Sequence, residues 1–217
     1  MAEKSKGRTY DEIFNAVEQA EAVIFDLGNV LVAFEWENYV RSLGFDGETC
    51  EHVENAMFRN EDWDAGDSGL VTTEEWLGLF IENDPAYEKE IRRTFEDFGK
   101  TIIPFGFTKP WVKRLKEQGK KLYFLSNYSQ EMYRQSKAQL DFLKDFDGGV
   151  FSWKEKCMKP EDKIYKILLT NYGLSAGKCV FFDDREENVE GARKAGINAF
   201  LFHVEIPLQF LEKSCNI

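Results

Sequence analysis

The chain has 217 residues, 43% of them hydrophobic and 31% charged, which supplies a packed core and excludes a globally disordered polypeptide. A formal net charge of −11 makes a surface that repels nucleic acid and anionic membrane, so neither is expected as a partner; an anionic small molecule can still bind at a local cation, a lysine or a helix N-terminus. Cys50, Cys157, Cys179 and Cys215 form no C-x-x-C pair, which argues against zinc and redox chemistry. With a polar N-terminus and no apolar run of membrane-spanning length, the expected location is a reducing cytoplasm.

The first element is an apolar run, Ala22-Val23-Ile24-Phe25, that ends abruptly in Asp26 and is followed by Gly28 and Asn29. Such a run reads as a strand buried on both faces, as in a parallel sheet, and it leaves the carboxylate at the strand's carboxyl end, where open α/β sheets bind ligands. Residues 33–104 then show helical periodicity without a convincing strand. Thr72-Thr73-Glu74-Glu75 is a capping box leading into Trp76, Leu77, Leu79 and Phe80, and Ile91, Phe95 and Phe98 follow at helical spacing. Residues 99–106, with Pro104 inside, read as the return linker.

Beyond it, strands alternate with helices. Pro110 sits in the first turn of a helix that Gly119 closes, and residues 121–126 are a strand. Ser129 caps a helix running to about Leu143, and residues 149–152 are a strand. Pro160 opens a helix with Ile164, Ile167, Leu168 and Tyr172 on its apolar face and Gly173 as its stop. Residues 178–183 are a strand, 186–195 a helix and 198–202 a last strand. The expected architecture is α/β: a three-layer Rossmann-like parallel sheet with an inserted α-helical cap. The expected division is a core at 17–32, a cap at 33–104 and the remaining core at 105–217.

The polar groups fall at strand ends. The first strand delivers Asp26, the second Ser126 and Asn127, and the fourth Asp183 and Asp184; Lys159 stands before the Pro160 helix. A carboxylate can attack phosphorus to form an aspartyl-phosphate, provided the charge of two meeting anions is neutralised. Asp26, Asp183 and Asp184 offer hard oxygens of the kind Mg²⁺ takes, while the Ser126 hydroxyl, the Asn127 amide and the Lys159 ammonium can hold phosphoryl oxygens.

Four segments in order carry a family resemblance: Phe25-Asp26-Leu27-Gly28-Asn29-Val30-Leu31, Leu125-Ser126-Asn127, Met158-Lys159-Pro160 and Phe182-Asp183-Asp184. They resemble the signature elements of the haloacid dehalogenase superfamily, and the run from Asp184 to Ala192 is similar to its fourth motif and following helix. The resemblance extends from Val23 to Phe202, and residues 69–76 look like a recurring segment of the family's helical cap. It implies a Mg²⁺-dependent phosphatase of a small phosphorylated metabolite. In it Asp26 is nucleophile and metal ligand, the Gly28 carbonyl a second ligand, Asp184 a direct ligand and Asp183 a ligand through water. Ser126 and the Asn127 amide bind the phosphoryl group, and Lys159 bridges it to Asp26.

One departure from the pattern stands out. Most phosphatases of this superfamily carry a second aspartate two residues after the nucleophile, as general acid and base, and here that place holds Gly28. The Asp-Leu-Gly-Asn-Val variant is similar to that of a bacterial subgroup that includes an α-glucose-1-phosphate phosphatase. An anomeric oxygen leaves more readily than an ordinary alkoxide, which suits a site without that acid and points to a sugar phosphate. Glu35 or His52 in the cap could replace it. The same residues leave two other readings: a metal-free hydrolase acting on carbon, such as a 2-haloacid dehalogenase, and a binding module that kept the fold and lost turnover. His52 and His203 otherwise read as structural, and Trp36, Trp63 and Trp76 as cap core, although an exposed one could floor a sugar pocket. Glu61, Asp62, Asp64 and Asp67 read as a solvated acidic face.

Overall fold

The computed structural model describes residues 9–212; Cys215 lies outside them. In chain order the elements are α1 (Tyr10–Gln19), β1 (Ala22–Phe25), β2 (Val32–Phe34), α2 (Trp36–Ser42), α3 (Gly47–Met57), α4 (Trp63–Ser68), α5 (Thr73–Asn83), α6 (Glu88–Glu96) and β3 (Ile102–Pro104). They continue with α7 (Thr108–Glu117), β4 (Lys121–Ser126), α8 (Gln130–Ser136), β5 (Gly148–Phe151), α9 (Ser152–Glu155), α10 (Asp162–Asn171), β6 (Cys179–Asp183), α11 (Glu186–Lys194), β7 (Asn198–Leu201) and α12 (Glu205–Glu212). Among the described residues, no helix is long and apolar enough to cross a membrane.

Five strands form one parallel sheet in the order β5-β4-β1-β6-β7. Alternate residues of each strand face opposite sides, as the pleat requires. Val23, Phe25, Leu122, Phe124, Val180 and Phe182 pack on one face with Trp111 of α7, Val17 of α1 and Phe210 of α12. Ala22, Ile24, Tyr123, Leu125 and Phe181 pack on the other with Ile164 and Leu168 of α10 and Val189 and Ala192 of α11. The result is the three-layer α/β fold the alternation predicts. The chain runs outward from β1 through β4 and β5, then returns to the far side of β1 through β6 and β7. The direction reverses beside β1, which is where such sheets open a ligand crevice at their carboxyl edge.

Between β2 and β3 lies a helical insert, α2 to α6, whose core is aromatic: Trp76 sits 5.2 Å from Trp63, 5.1 Å from Phe80, 5.6 Å from Phe95 and 5.7 Å from Phe98 between ring centroids. The capping box at Thr72 and Glu75 is present at α5.

Several elements differ from expectation. Residues 32–34 and 102–104 pair as an antiparallel ribbon, Val32 opposite Pro104 and Phe34 opposite Ile102, where no strand and a plain linker were expected; three residues are too few for a period to show. The two flanking helices α1 and α12 were also unexpected. For α1 a signal exists, because Thr9 and Glu12 form a reciprocal capping box. The helix capped by Ser129 stops at Ser136 instead of Leu143, with a 3-10 turn at Asp141–Asp145. The helix after Pro160 begins at Asp162, two residues later than expected.

Candidate active site

Because β1 lies between β4 and β6, the residues that end these three strands converge. Asp26 follows β1, Ser126 closes β4 and Asp183 closes β6. One carboxylate oxygen from each of Asp26, Asp183 and Asp184 lies within 4.8 Å of the others. Lys159, with a side chain 1% exposed, ties two of them: its Nζ is 2.9 Å from Asp26 Oδ1 and 2.6 Å from Asp183 Oδ2.

The loop that carries Lys159 is clamped to the turn after β4. The Lys159 N–H donates to Asn127 Oδ1 at 2.8 Å and Asn127 Nδ2 donates to the Lys159 carbonyl at 3.0 Å. Asp183 is fully buried and its oxygens are all occupied: Oδ1 accepts from the Arg185 N–H at 2.9 Å and from Asn188 Nδ2 at 2.9 Å, while Oδ2 takes Lys159. Asn29, held at a left-handed φ of 55°, donates from Nδ2 to Asp184 Oδ2 at 3.1 Å. Asp26 Oδ1 also accepts from the Leu27 N–H at 2.7 Å. The Ser126 hydroxyl is 1% exposed and makes a single long contact, 3.4 Å, to the Asn127 carbonyl.

The electrostatics follow from three carboxylates set around one ammonium. Burial pushes Asp26 up to about 7, against the pull of Lys159 and with the help of Asp183 and Asp184. Burial and the neighbouring Asp183 also raise Asp184, partly offset by Asn29. Burial works against the Lys159 charge, yet Asp183 and Asp26 outweigh it and raise its pKa. The donor set is therefore short of positive charge and rich in carboxylate oxygen, which fits a hard divalent cation.

A cavity joins this cluster to the insert. Its walls include Asp26, Gly28, Ser126, Asn127, Lys159 and Asp184 from the core and Phe34, Trp63, Asp64 and Asp67 from the insert side. Neither Glu35 nor His52 lines it. Glu35 accepts from Asn38 Nδ2 at 2.5 Å, and His52 pairs with Asp84 at 2.5 Å and stacks on Tyr87. The candidate replacement acids are thus engaged inside the insert. The acidic run is not one solvated face either: Asp67 is buried and Asp64 lines the cavity. Trp63 reaches the cavity wall, whereas Trp76 is sealed inside the insert. Sequence reasoning missed Asn29 and Asn188 as supports for the acidic pair, and it missed Asp67. For the two asparagines their places beside Asp26 and Asp183 were a signal; for Asp67 there was none.

A parallel sheet that presents a lysine-bound carboxylate and an acidic pair at its switch point has the polar groups of a hydrolase. Residues 20–196 match the family model of haloacid dehalogenase-like hydrolases, and the chain belongs to that family. Phosphatase MT3486 of Mycobacterium tuberculosis is 28% identical over 198 residues, covering 83% of this chain and 86% of that protein. The sesquiterpene phosphatase astK of Aspergillus oryzae is 25% identical over 177 residues, covering 82% and 87%. Among solved structures, the family enzyme bt-2542 of Bacteroides thetaiotaomicron, in complex with magnesium and inorganic phosphate, superposes with a TM-score of 0.67 at 19% identity over 85% of this chain and 94% of that one. The L-2-haloacid dehalogenase of Xanthobacter autotrophicus superposes at 0.59 with 15% identity, over 86% and 80%. Both structural likenesses concern the fold.

Proposed function

We propose that this protein is a Mg²⁺-dependent phosphomonoesterase of the cytoplasm that acts on a small phosphorylated metabolite, specifically a sugar phosphate. The observation that carries this reading is the cluster of three carboxylates, two of them bridged by Lys159, beside a cavity that Asp26 and Asp184 line. One ammonium cannot neutralise three carboxylates, so a dianionic phosphoryl group needs a further cation beside them. The two phosphatases named among the relatives agree with it.

Asp26 is the nucleophile. Leu27 and Lys159 both bond to Oδ1, which leaves Oδ2 to attack phosphorus. The Oδ2–P bond forms as the ester P–O bond breaks, giving an aspartyl-phosphate and the freed alcohol. Water then attacks phosphorus and returns Asp26 and inorganic phosphate. Lys159 holds Asp26 in place and faces the incoming oxygens. The Ser126 hydroxyl donates to a phosphoryl oxygen. Asn127 contributes through its main-chain N–H, because its side-chain amide is spent on the Lys159 backbone. Asp26, the Gly28 carbonyl and Asp184 would hold Mg²⁺, with Asp183 acting through water. When bound, the ion supplies the charge neutralisation that lets an anion attack an anion.

The test is phosphate release from a panel of phosphomonoesters, including anomeric and terminal sugar phosphates, with Mg²⁺ and with EDTA. Release that needs Mg²⁺ is expected, and Asp26→Asn is expected to abolish it while the protein still unfolds cooperatively. An active Asp26→Asn protein, or EDTA-insensitive halide release from a 2-haloacid, would overturn the assignment.

A further inference from the structure

Breaking an alkyl phosphate ester leaves an alkoxide that needs a proton, and Gly28 has no side chain to give one. The core carboxylates are occupied: Asp26 and Asp183 by Lys159, and Asp184 by Asn29. Asp67 of α4 is different. It lines the same cavity as Asp26, is 8% exposed, and among the described residues its carboxyl group makes no hydrogen bond and no ion pair. An unpaired carboxyl group with that little water favours its neutral, protonated form. Burial, Asp64 and Asp26 all push its pKa well above the ordinary carboxylate value, with Lys159 opposing.

Its position is fixed from the core. The Ser152 hydroxyl donates to the Asp67 carbonyl at 2.6 Å and accepts the Tyr128 N–H at 2.9 Å, so Asp67 is tied to the turn that carries Ser126 and Asn127. Two residues on, Gly69 has a φ of 66° and its backbone lies so close to Trp153 that an added Cβ would be 2.2 Å from the Trp153 carbonyl oxygen. The C-terminal end of α4 is thus docked tightly beside the β5 edge of the site.

We infer that Asp67 is the general acid and base of this site. The inference rests on the phosphomonoesterase reading. As the ester P–O bond breaks, its electron pair goes to the leaving oxygen, which takes the Asp67 proton and departs as the alcohol. The Asp67 carboxylate then takes a proton from water as the water oxygen bonds to phosphorus and the electron pair of the P–Oδ2 bond returns to Asp26. Both halves balance without a further reactant.

The experiment is single-turnover release of the leaving group, with Mg²⁺ present, by wild type and Asp67→Asn from two esters. One is 2,4-dinitrophenyl phosphate, whose leaving group needs no proton; the other is an alkyl phosphate that wild type hydrolyses. Asp67→Asn is expected to slow the alkyl ester by roughly 10²–10⁴-fold and the dinitrophenyl ester by less than about threefold, with inorganic phosphate affinity unchanged. Asp67→Ser, which also cannot donate as an acid, gives the same contrast and serves if the asparagine variant does not fold. Equal loss on both esters makes Asp67 a structural residue and overturns the inference, as does no loss on either. If wild type releases nothing from any ester with Mg²⁺, the phosphomonoesterase reading itself fails and takes this role with it.

Discussion

Asp147 and Asp26 show how the same side chain is shifted in opposite directions by its surroundings. Asp147 Oδ2 accepts the Leu122 N–H at 2.7 Å and Lys116 Nζ at 2.9 Å, and its own N–H donates to the Leu122 carbonyl at 2.8 Å, so it anchors the start of β4. Burial alone would raise its pKa, but Lys116 and the Leu122 amide outweigh it and the net shift is downward. A carboxylate with a lowered folded-state pKa stabilises the fold above its unfolded pKa, and that contribution is lost as pH falls through the folded value. Asp147→Ala is therefore expected to cost about 1 kcal/mol at pH 7, a figure discounted for partial exposure. The deficit should shrink toward zero in acid; urea titrations of both proteins at neutral pH and in the acid range check this, and a deficit independent of pH would assign the loss to packing. Asp26 has the opposite sign. Its pKa is raised from an ordinary 3.8 to about 7, so in the metal-free protein it costs stability increasingly as pH climbs between those values. This is why Asp26→Asn is expected to remain folded, with Lys159 still paired to Asp183. Strand-end residues such as Asp26, Ser126 and Asp183 were legible because each ends an apolar run. Lys159 was legible only through the motif order, since nothing local marks a loop lysine as buried. Asp67 was illegible because it is buried among residues remote in sequence, Ser152 at 85 positions away being one that bonds its main chain.

Among the helices of the insert, α4 depends most on one close approach. A Cβ added at Gly66 would lie 2.3 Å from Trp76 Cε2. The indole cannot yield easily: its Nε1 donates to the Asp62 carbonyl at 2.8 Å and its ring is enclosed by Trp63, Phe80, Phe95 and Phe98. Replacing a helical glycine by alanine ordinarily gains up to about 1 kcal/mol. Here overpacking is expected to reverse the sign, so that Gly66→Ala loses about 1–3 kcal/mol in urea unfolding. A stabilised variant would mean that Trp76 has room to move. At this scale the sequence conveyed what repeats or is long. The five parallel strands and the helices α5, α7, α10 and α11 carry an apolar period or a cap that survives without knowledge of neighbours. The β2–β3 ribbon does not, because each strand has three residues and its partner lies across the whole insert. The helix after Ser129 was read too long because apolar residues continue into a 3-10 turn that the backbone, not the pattern, interrupts.

For the molecule as a whole, the insert meets the core through contacts of two different kinds. One is the β2–β3 ribbon, whose main-chain pairing is backed by the Phe105 N–H and the Thr108 hydroxyl, both donating to the Leu31 carbonyl. The others are side-chain contacts: Gln135 of α8 donates from Nε2 to the Phe95 carbonyl at 3.0 Å and accepts the Gly99 N–H at 2.9 Å, and the Ser152 hydroxyl joins the Asp67 carbonyl to the Tyr128 N–H beside the close approach of Gly69 to Trp153. The ribbon is covalently continuous with both parts and has several bonds to lose, so it can act as a hinge; the serine contact is one side chain and can act as a latch. Ser152→Ala leaves a buried amide and carbonyl without their partner and is expected to cost about 1–3 kcal/mol. If the latch reading is right, the loss is local: amide hydrogen exchange rises in α4 and at Tyr128, while the ribbon and the five-stranded sheet keep their protection. Catalytic loss should then exceed what the stability change explains, because α4 carries Asp67 and Asp64 into the cavity. A uniform rise in exchange across the insert and the sheet would instead make Ser152 a support of the entire fold, and the ribbon would lose its claim to be the hinge.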